Sequence, residues 1–318
     1  MAKTNNRWAL EAAAGTLAVV GMLMLIMLVV QARPAEATFP GKPGKIAYSG
    51  YDGQDYEIYT IKAGGGGKLQ LTDNSTGNFD PSYSPSGKKI VYSGLDGPNG
   101  DTEIYTINAG GGGKKQLTHN DTNDYEPSYS PDGNKIVYSG KEGPNADFEI
   151  YTIKAGGGGK FNVTDNSTGD YAPSYSPNGK KIVYAGEDGP NGDTDIYTIN
   201  PGGGSKFNVT DNNVDEYYSS YSPSGKKIAY QGEDGAKGDY EVYTIDPGGG
   251  SRFNVTDNDT NDGGGLSYSP SGKKIAYSGD EGPNADYEIY TINPGGGGKF
   301  NVTDNGTGDY NPSWGSSK

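Results

Sequence analysis

The phrase Lys-Ile-Ala/Val-Tyr occurs six times and places tyrosines at Tyr48, Tyr92, Tyr138, Tyr184, Tyr230 and Tyr277, at successive spacings of 44, 46, 46, 46 and 47 residues. A period in the forties, filled by short alternating segments and turn signals, is how a chain of four-stranded antiparallel blades reads. One such sheet cannot bury both of its faces, so the copies must stack on one another. The expected fold class is therefore all-β, a six-bladed β-propeller over residues 45–318.

The third full unit shows how a blade is expected to form. Pro127-Ser-Tyr-Ser130 reads as strand a and Pro131-Asp-Gly133 as a tight turn. Lys135–Ser139 reads as strand b, Glu149–Ile153 as strand c and Lys160–Thr164 as strand d, with Gly156–Gly159 turning c into d. Alternation puts Ile136 and Tyr138 on one face of strand b, and Tyr151 and Ile153 on one face of strand c, so both sides of the sheet carry apolar groups. The chain ends predict how the ring closes. The first copy starts directly at a strand b, Lys45-Ile-Ala-Tyr48, whereas the last is followed by an extra Pro312-Ser-Trp314 that matches strand a. That segment is expected to complete the first blade and remove the exposed sheet edges.

Glycine occurs 54 times and tyrosine 26 times, a balance that suits short strands and tight turns. A disordered chain would have no reason to keep Tyr, Ile and Val at fixed positions. Before the repeats, Lys3 and Arg7 precede an apolar run from Ala12 to Val30, and Ala35-Glu-Ala37 has the small-x-small pattern of a signal-peptidase site. Residues 1–37 are read as a signal peptide or, since residues 12–30 are long enough to span a bilayer, as a membrane anchor. Residues 38–44 form a short linker. Either way the ring is expected outside the cytoplasm, whether periplasmic, secreted or at the cell surface.

Cleavage after Ala37 would leave 23 basic and 38 acidic residues, a net charge of −15. Such a surface repels phosphate backbones, and only Arg7, Arg33 and Arg252 supply guanidinium groups, so nucleic-acid binding is not expected. Cations or basic protein surfaces are better matched partners. The absence of cysteine removes disulfides, thiolate zinc sites and cysteine nucleophiles.

The repeat Pro-Ser-Tyr-Ser-Pro-x-Gly-x-Lys-Ile-Val-Tyr, followed by Asp/Glu-Ile-Tyr-Thr-Ile and Leu/Val-Thr, resembles the TolB-like propeller repeat, a relative of WD-type repeats, over about residues 45–314. The resemblance is to the propeller of TolB without its N-terminal α/β domain. It implies a six-bladed ring whose channel mouth receives a protein or ligand.

Propellers of this kind also occur attached to serine peptidases, yet the sequence has no Gly-x-Ser-x-Gly elbow. His119, the single histidine, stands where other copies have aspartate and reads as a surface substitution. The glycine runs lack the Lys-Ser/Thr ending of a phosphate-binding loop and read as hairpin turns. Acidic loops are the remaining chemical signal. In the b-to-c loops, Asp96, Asp101 and Glu103, and likewise Asp188, Asp193 and Asp195, form oxygen-rich sets suited to calcium. The competing reading is that the acid before Ile-Tyr accepts backbone N–H bonds and orders the loop. The d-to-a loops share that rim, and there Asp80, Asp124, Glu126, Asp170, Glu216, Tyr217, Tyr218 and Asp309 are the candidate ligand-binding residues. Tyr217-Tyr-Ser-Ser and Gly263-Gly-Gly-Leu266 break the repeat, either as a contact surface or through drift. The expected function is a binding or scaffold module for a protein, a peptide or an envelope polysaccharide, with no catalytic residues and no cofactor beyond calcium. The alternative is a carboxylate- or metal-dependent lyase or hydrolase at the channel mouth.

Overall fold

The computed structural model describes residues 42–317, apart from 97–99, 143–145, 190–191, 234–237 and 282–285. The segments read as a signal peptide or anchor, and most of the linker, lie outside the described residues. Among the described residues the chain forms six four-stranded antiparallel sheets. Blades 2 to 6 each use four consecutive strands. Blade 3, for example, consists of Asp124–Tyr129, Lys135–Gly140, Glu149–Lys154 and Phe161–Asn162, strands a to d. Blade 1 joins the two ends, pairing Lys42–Tyr51 with Asp309–Ser317 as expected.

Both faces of each sheet are apolar, and each face packs on a neighbour. Tyr129, Ile136, Tyr138, Tyr151 and Ile153 of blade 3 form one cluster with Val91, Ile104 and Leu117 of blade 2. On the other face, Val137, Ile150 and Val163 join residues of blade 4. Equivalent clusters fill all six interfaces of the ring. In every blade the strand b tyrosine stacks on a strand c tyrosine, as Tyr138 does on Tyr151 at 5.7 Å. The glycine runs are hairpin turns, with Gly157, Gly158 and Gly159 all at positive φ.

Two strands depart from the expected limits. Strand d, expected over Lys160–Thr164, pairs only at Phe161 and Asn162. The ladder then continues through Val163, which bonds Ile150 O at 2.7 Å, and through Thr164, whose hydroxyl accepts from Ile150 N at 3.0 Å in place of a backbone carbonyl. A threonine does the same in every blade, and it releases the chain towards the ring axis. Strand a starts earlier than expected, at Asp124 rather than Pro127, because a bulge at Glu126 lets the strand pair on both sides of an irregular residue.

Closure depends on Trp314, which is 4% exposed, pairs with Ile46 and packs against residues of blades 1 and 6. Trp314→Ala is expected to cost about 3–5 kcal/mol in denaturant-induced unfolding, the usual range for a buried tryptophan. Removal of residues 311–318 is expected to lower the melting temperature further by opening the ring. A truncated chain that melts with the parent would contradict the closure.

Candidate functional site

At the rim carrying the b-to-c and d-to-a loops, one polar arrangement recurs in all six blades. In blade 3 the buried Glu149 accepts Asn166 N at 2.7 Å and the Thr164 hydroxyl. Asn166 Oδ1 accepts Thr168 N at 2.7 Å, and its Nδ2 donates to Asp170 Oδ2 at 2.6 Å. The acid before Ile-Tyr thus orders a loop through backbone N–H groups, as the competing reading of the acidic loops held; the loop it orders is d-to-a. Glu57, Glu103, Asp195, Glu241 and Glu288 bond their own asparagines in the same way.

This arrangement determines where several candidate residues lie. Asp124, Asp170, Glu216 and Asp309 are fully buried and accept the side-chain amide of their loop asparagine, whereas Glu103 accepts the backbone N–H of Asn120, and Asp195 accepts the backbone N–H of Asn212 and the side-chain amide of Asn208 in strand d. Burial pushes Asp124 up to about 8, and Asp170, Glu216, Asp262 and Asp309 up to about 7. Asp96 and Asp188 turn outward to Lys114 and Lys206, each ammonium lying over a strand c tyrosine. Asp101 and Asp193 sit two residues before Glu103 and Asp195 and form no such pair. His119 is exposed, as expected of a surface substitution.

The ring axis is a channel of 160 Å³ lined by the strands a of all six blades. At its mouth, equivalent positions carry Asp80, Glu126, Ala172, Tyr218, Gly265 and Asn311. All six are left-handed, the non-glycine residues having φ between 46 and 55°. Such backbone is costly for residues other than glycine and persists only where its surroundings enforce it. The enforcing bonds pass from blade to blade. Asp80 Oδ2 accepts Glu126 N at 3.3 Å, and Glu126 Oε2 accepts Ala172 N at 2.6 Å. Asn311 Nδ2 donates to Asp80 Oδ1, while Ser93 and Ser139 donate to Asp80 and Glu126. Burial raises the pKa of both carboxyl groups, and the Asp80 charge raises Glu126 further. Tyr218 is close enough to be raised by the charges of Glu126 and Asp80, after burial. Around the mouth stand the half-buried Phe79, Tyr125, Tyr171, Tyr217 and Tyr310, in ring contact with Tyr56, Phe148, Tyr240 and Tyr287.

Of the candidate rim residues, the structure therefore brings Asp80, Glu126 and Tyr218 together at the channel, with Tyr217 in the surrounding collar. Asn311 and Ala172 share the mouth and were not singled out from the sequence, and Gly265 joins them from the Gly263–Leu266 segment that breaks the repeat. The available signal was their common position, one residue before Pro-Ser-Tyr in most copies, where the residue type changes from blade to blade.

A closed ring with a repeated frame and an unrepeated channel mouth defines a six-bladed β-propeller. Residues 37–189 match the family described as the TolB beta propeller domain, so the resemblance carried by the repeats holds over that segment. TolB from Acinetobacter baumannii is similar in structure, with TM-score 0.73 and 22% identity over 86% of this chain and 67% of that one. A putative TolB from Agrobacterium tumefaciens gives 0.65 and 19%, over 82% of this chain and 89% of that one. A puromycin-hydrolyzing peptidase of Mycobacterium tuberculosis shares the fold at 0.58 and 14%, over 85% of this chain and 47% of that one. No curated protein matches the chain.

The buried strand a carboxylates make an uncommon pH dependence. Their folded values lie above those of an unfolded chain, so the ring keeps protons that the unfolded chain has lost, and stability falls as pH rises from about 4 to about 8. Blade 2 has Asn78 at this position, donating to Glu57 Oε2 at 2.9 Å. Asp170→Asn should accordingly stabilise the ring at pH 8 by about 1 kcal/mol, or about 2 °C in melting temperature, and flatten the profile. A melting temperature that climbs between pH 5 and pH 8 would contradict this account.

Proposed function

We propose that the protein is an exported binding module whose channel mouth receives a cationic segment of a protein or peptide partner. One observation carries this reading: the channel mouth changes residue type in every blade, while the frame around it repeats. Packing would accept the same residue six times, so the asymmetry is best understood as selected by an asymmetric ligand. Asp80 and Glu126 are adjacent, half-buried and raised in pKa, so a lysine, arginine or amino terminus placed between them would relieve their mutual repulsion. The aromatic collar supplies the rigid, amphipathic contact area that protein interfaces favour. An envelope polysaccharide would use the collar but would leave the carboxylate pair uncompensated.

The lyase or hydrolase alternative gains less support, because the described channel lining brings together two carboxylates and no histidine. Export rests on the segment before the ring, with residues 1–37 removed or residues 12–30 retained as an anchor. N-terminal sequencing of the protein from the exporting cell should begin at Thr38 or find the intact segment in the membrane fraction. An intact chain in the cytoplasmic fraction would overturn the export reading.

Binding can be tested with immobilised residues 38–318 and a peptide set graded in charge. Basic peptides should bind in preference to acidic ones, and Glu126→Gln should weaken them about tenfold, with affinity falling as salt is added. Equal affinity of Glu126→Gln and the parent for every peptide would overturn the proposal.

A further inference from the structure

In every blade the b-to-c loop enters strand c through two acids separated by one residue: Asp55 and Glu57, Asp101 and Glu103, Asp147 and Glu149, Asp193 and Asp195, Asp239 and Glu241, Asp286 and Glu288. The second acid holds the d-to-a loop, as described above. The first has no such duty. Asp101 is only 8% exposed, and neither of its carboxylate oxygens has a hydrogen-bond partner among the described residues. Both oxygens of Asp147, Asp193, Asp239 and Asp286 are likewise without a partner. A buried carboxylate lacking donors, set beside a second carboxylate, is costly unless a cation compensates it.

The surrounding geometry supplies a place for that cation. In blade 4, Asp193 Oδ1, Asp195 Oδ2 and the Asp193 carbonyl lie 2.7, 2.9 and 3.0 Å from the point where a Cβ on Gly189 would stand. Three oxygens thus converge on a space that only glycine leaves free. In blade 1, carboxylate oxygens of Asp52, Asp55 and Glu57 lie within 4.8 Å of one another, about twice a calcium–oxygen distance of about 2.4 Å. Asp96 and Asp188 are not needed, since Lys114 and Lys206 neutralise them.

We propose that calcium binds at the start of strand c, between the two acids of the repeat, with Asp101 and Glu103 in blade 2 and Asp193 and Asp195 in blade 4 as protein ligands. Calcium suits the set better than magnesium, because the donors are carboxylates and carbonyls at irregular angles, not an octahedral cage. The ion ties the b-to-c loop to strand c and lowers the acidity of the rim around the channel mouth. This inference stands apart from the ligand of the channel, which uses a different set of carboxylates.

The test uses the full chain, stripped with a chelator. Terbium should show emission sensitised by Tyr125 and Tyr217, whose hydroxyls reach Thr102 and Thr194, the residues between the paired acids in blades 2 and 4. Calcium should displace it at concentrations where magnesium does not, and calcium should raise the melting temperature above its value in chelator. Asp101→Asn and Asp193→Asn should each reduce the calcium stoichiometry by one site. Their melting temperatures in chelator should equal or exceed the parent's, because an unpaired buried carboxylate is gone, and this separates lost binding from lost folding. Equal melting temperatures in chelator and calcium, or variants that retain the parent's stoichiometry, would overturn the proposal.

Discussion

Neither apolar face of a blade can be buried from within that blade, and the rest of the structure follows from this constraint. Ile136 and Tyr138 look towards blade 2 while Val137 looks towards blade 4, so consecutive residues of one strand serve two interfaces. Stacking satisfies each blade only if it has a neighbour on both sides. The ring must therefore close, and Trp314 together with the pairing of Lys42–Tyr51 and Asp309–Ser317 closes it. Once the stack is fixed, the four-residue phrase around each strand b tyrosine can be repeated almost unchanged, because every interface is the same interface.

The loops are secured by a second repeated device, made of polar groups. A buried acid at the start of strand c, an asparagine in the d-to-a loop and a carboxylate at the start of strand a share hydrogen bonds across about twenty residues of chain. These bonds occupy most of the carboxylates that look, in the sequence, like a ligand-binding rim. The rim's acidity is in large part internal structure. What remains for a ligand is narrower, and it lies nearer the axis.

Much of the fold was legible because it rests on side-chain periodicity. The Lys-Ile-Ala/Val-Tyr spacing gave the blade count, and the missing first strand a together with Pro312-Ser-Trp314 gave the closure. Strand d was overestimated because threonine side chains stand in for backbone acceptors, which residue type alone does not reveal. The channel mouth was read as loop for a related reason. Asp80, Glu126, Ala172, Tyr218 and Asn311 adopt positive φ, and nothing in those residue types, aspartate and asparagine partly excepted, marks a left-handed bulge. Asp80, Glu126 and Tyr218 were found through their chemistry and Gly265 through the break in the repeat around it, whereas Ala172, which has neither, could be found only by comparing the same position in all six copies.

Under the proposed function, repeated positions build the ring and the unrepeated mouth positions serve the ligand. The most direct measurement makes five of the six mouth positions alike, leaving the glycine of blade 6 in place. Asp80, Glu126, Ala172 and Tyr218 would all be replaced by asparagine, the residue already present as Asn311, and the variant compared with the parent for unfolding and for binding of basic peptides. The variant ring should still unfold cooperatively, within a few degrees of the parent, and should have lost the preference for basic peptides. A variant that binds them as the parent does would contradict a ligand role for the mouth.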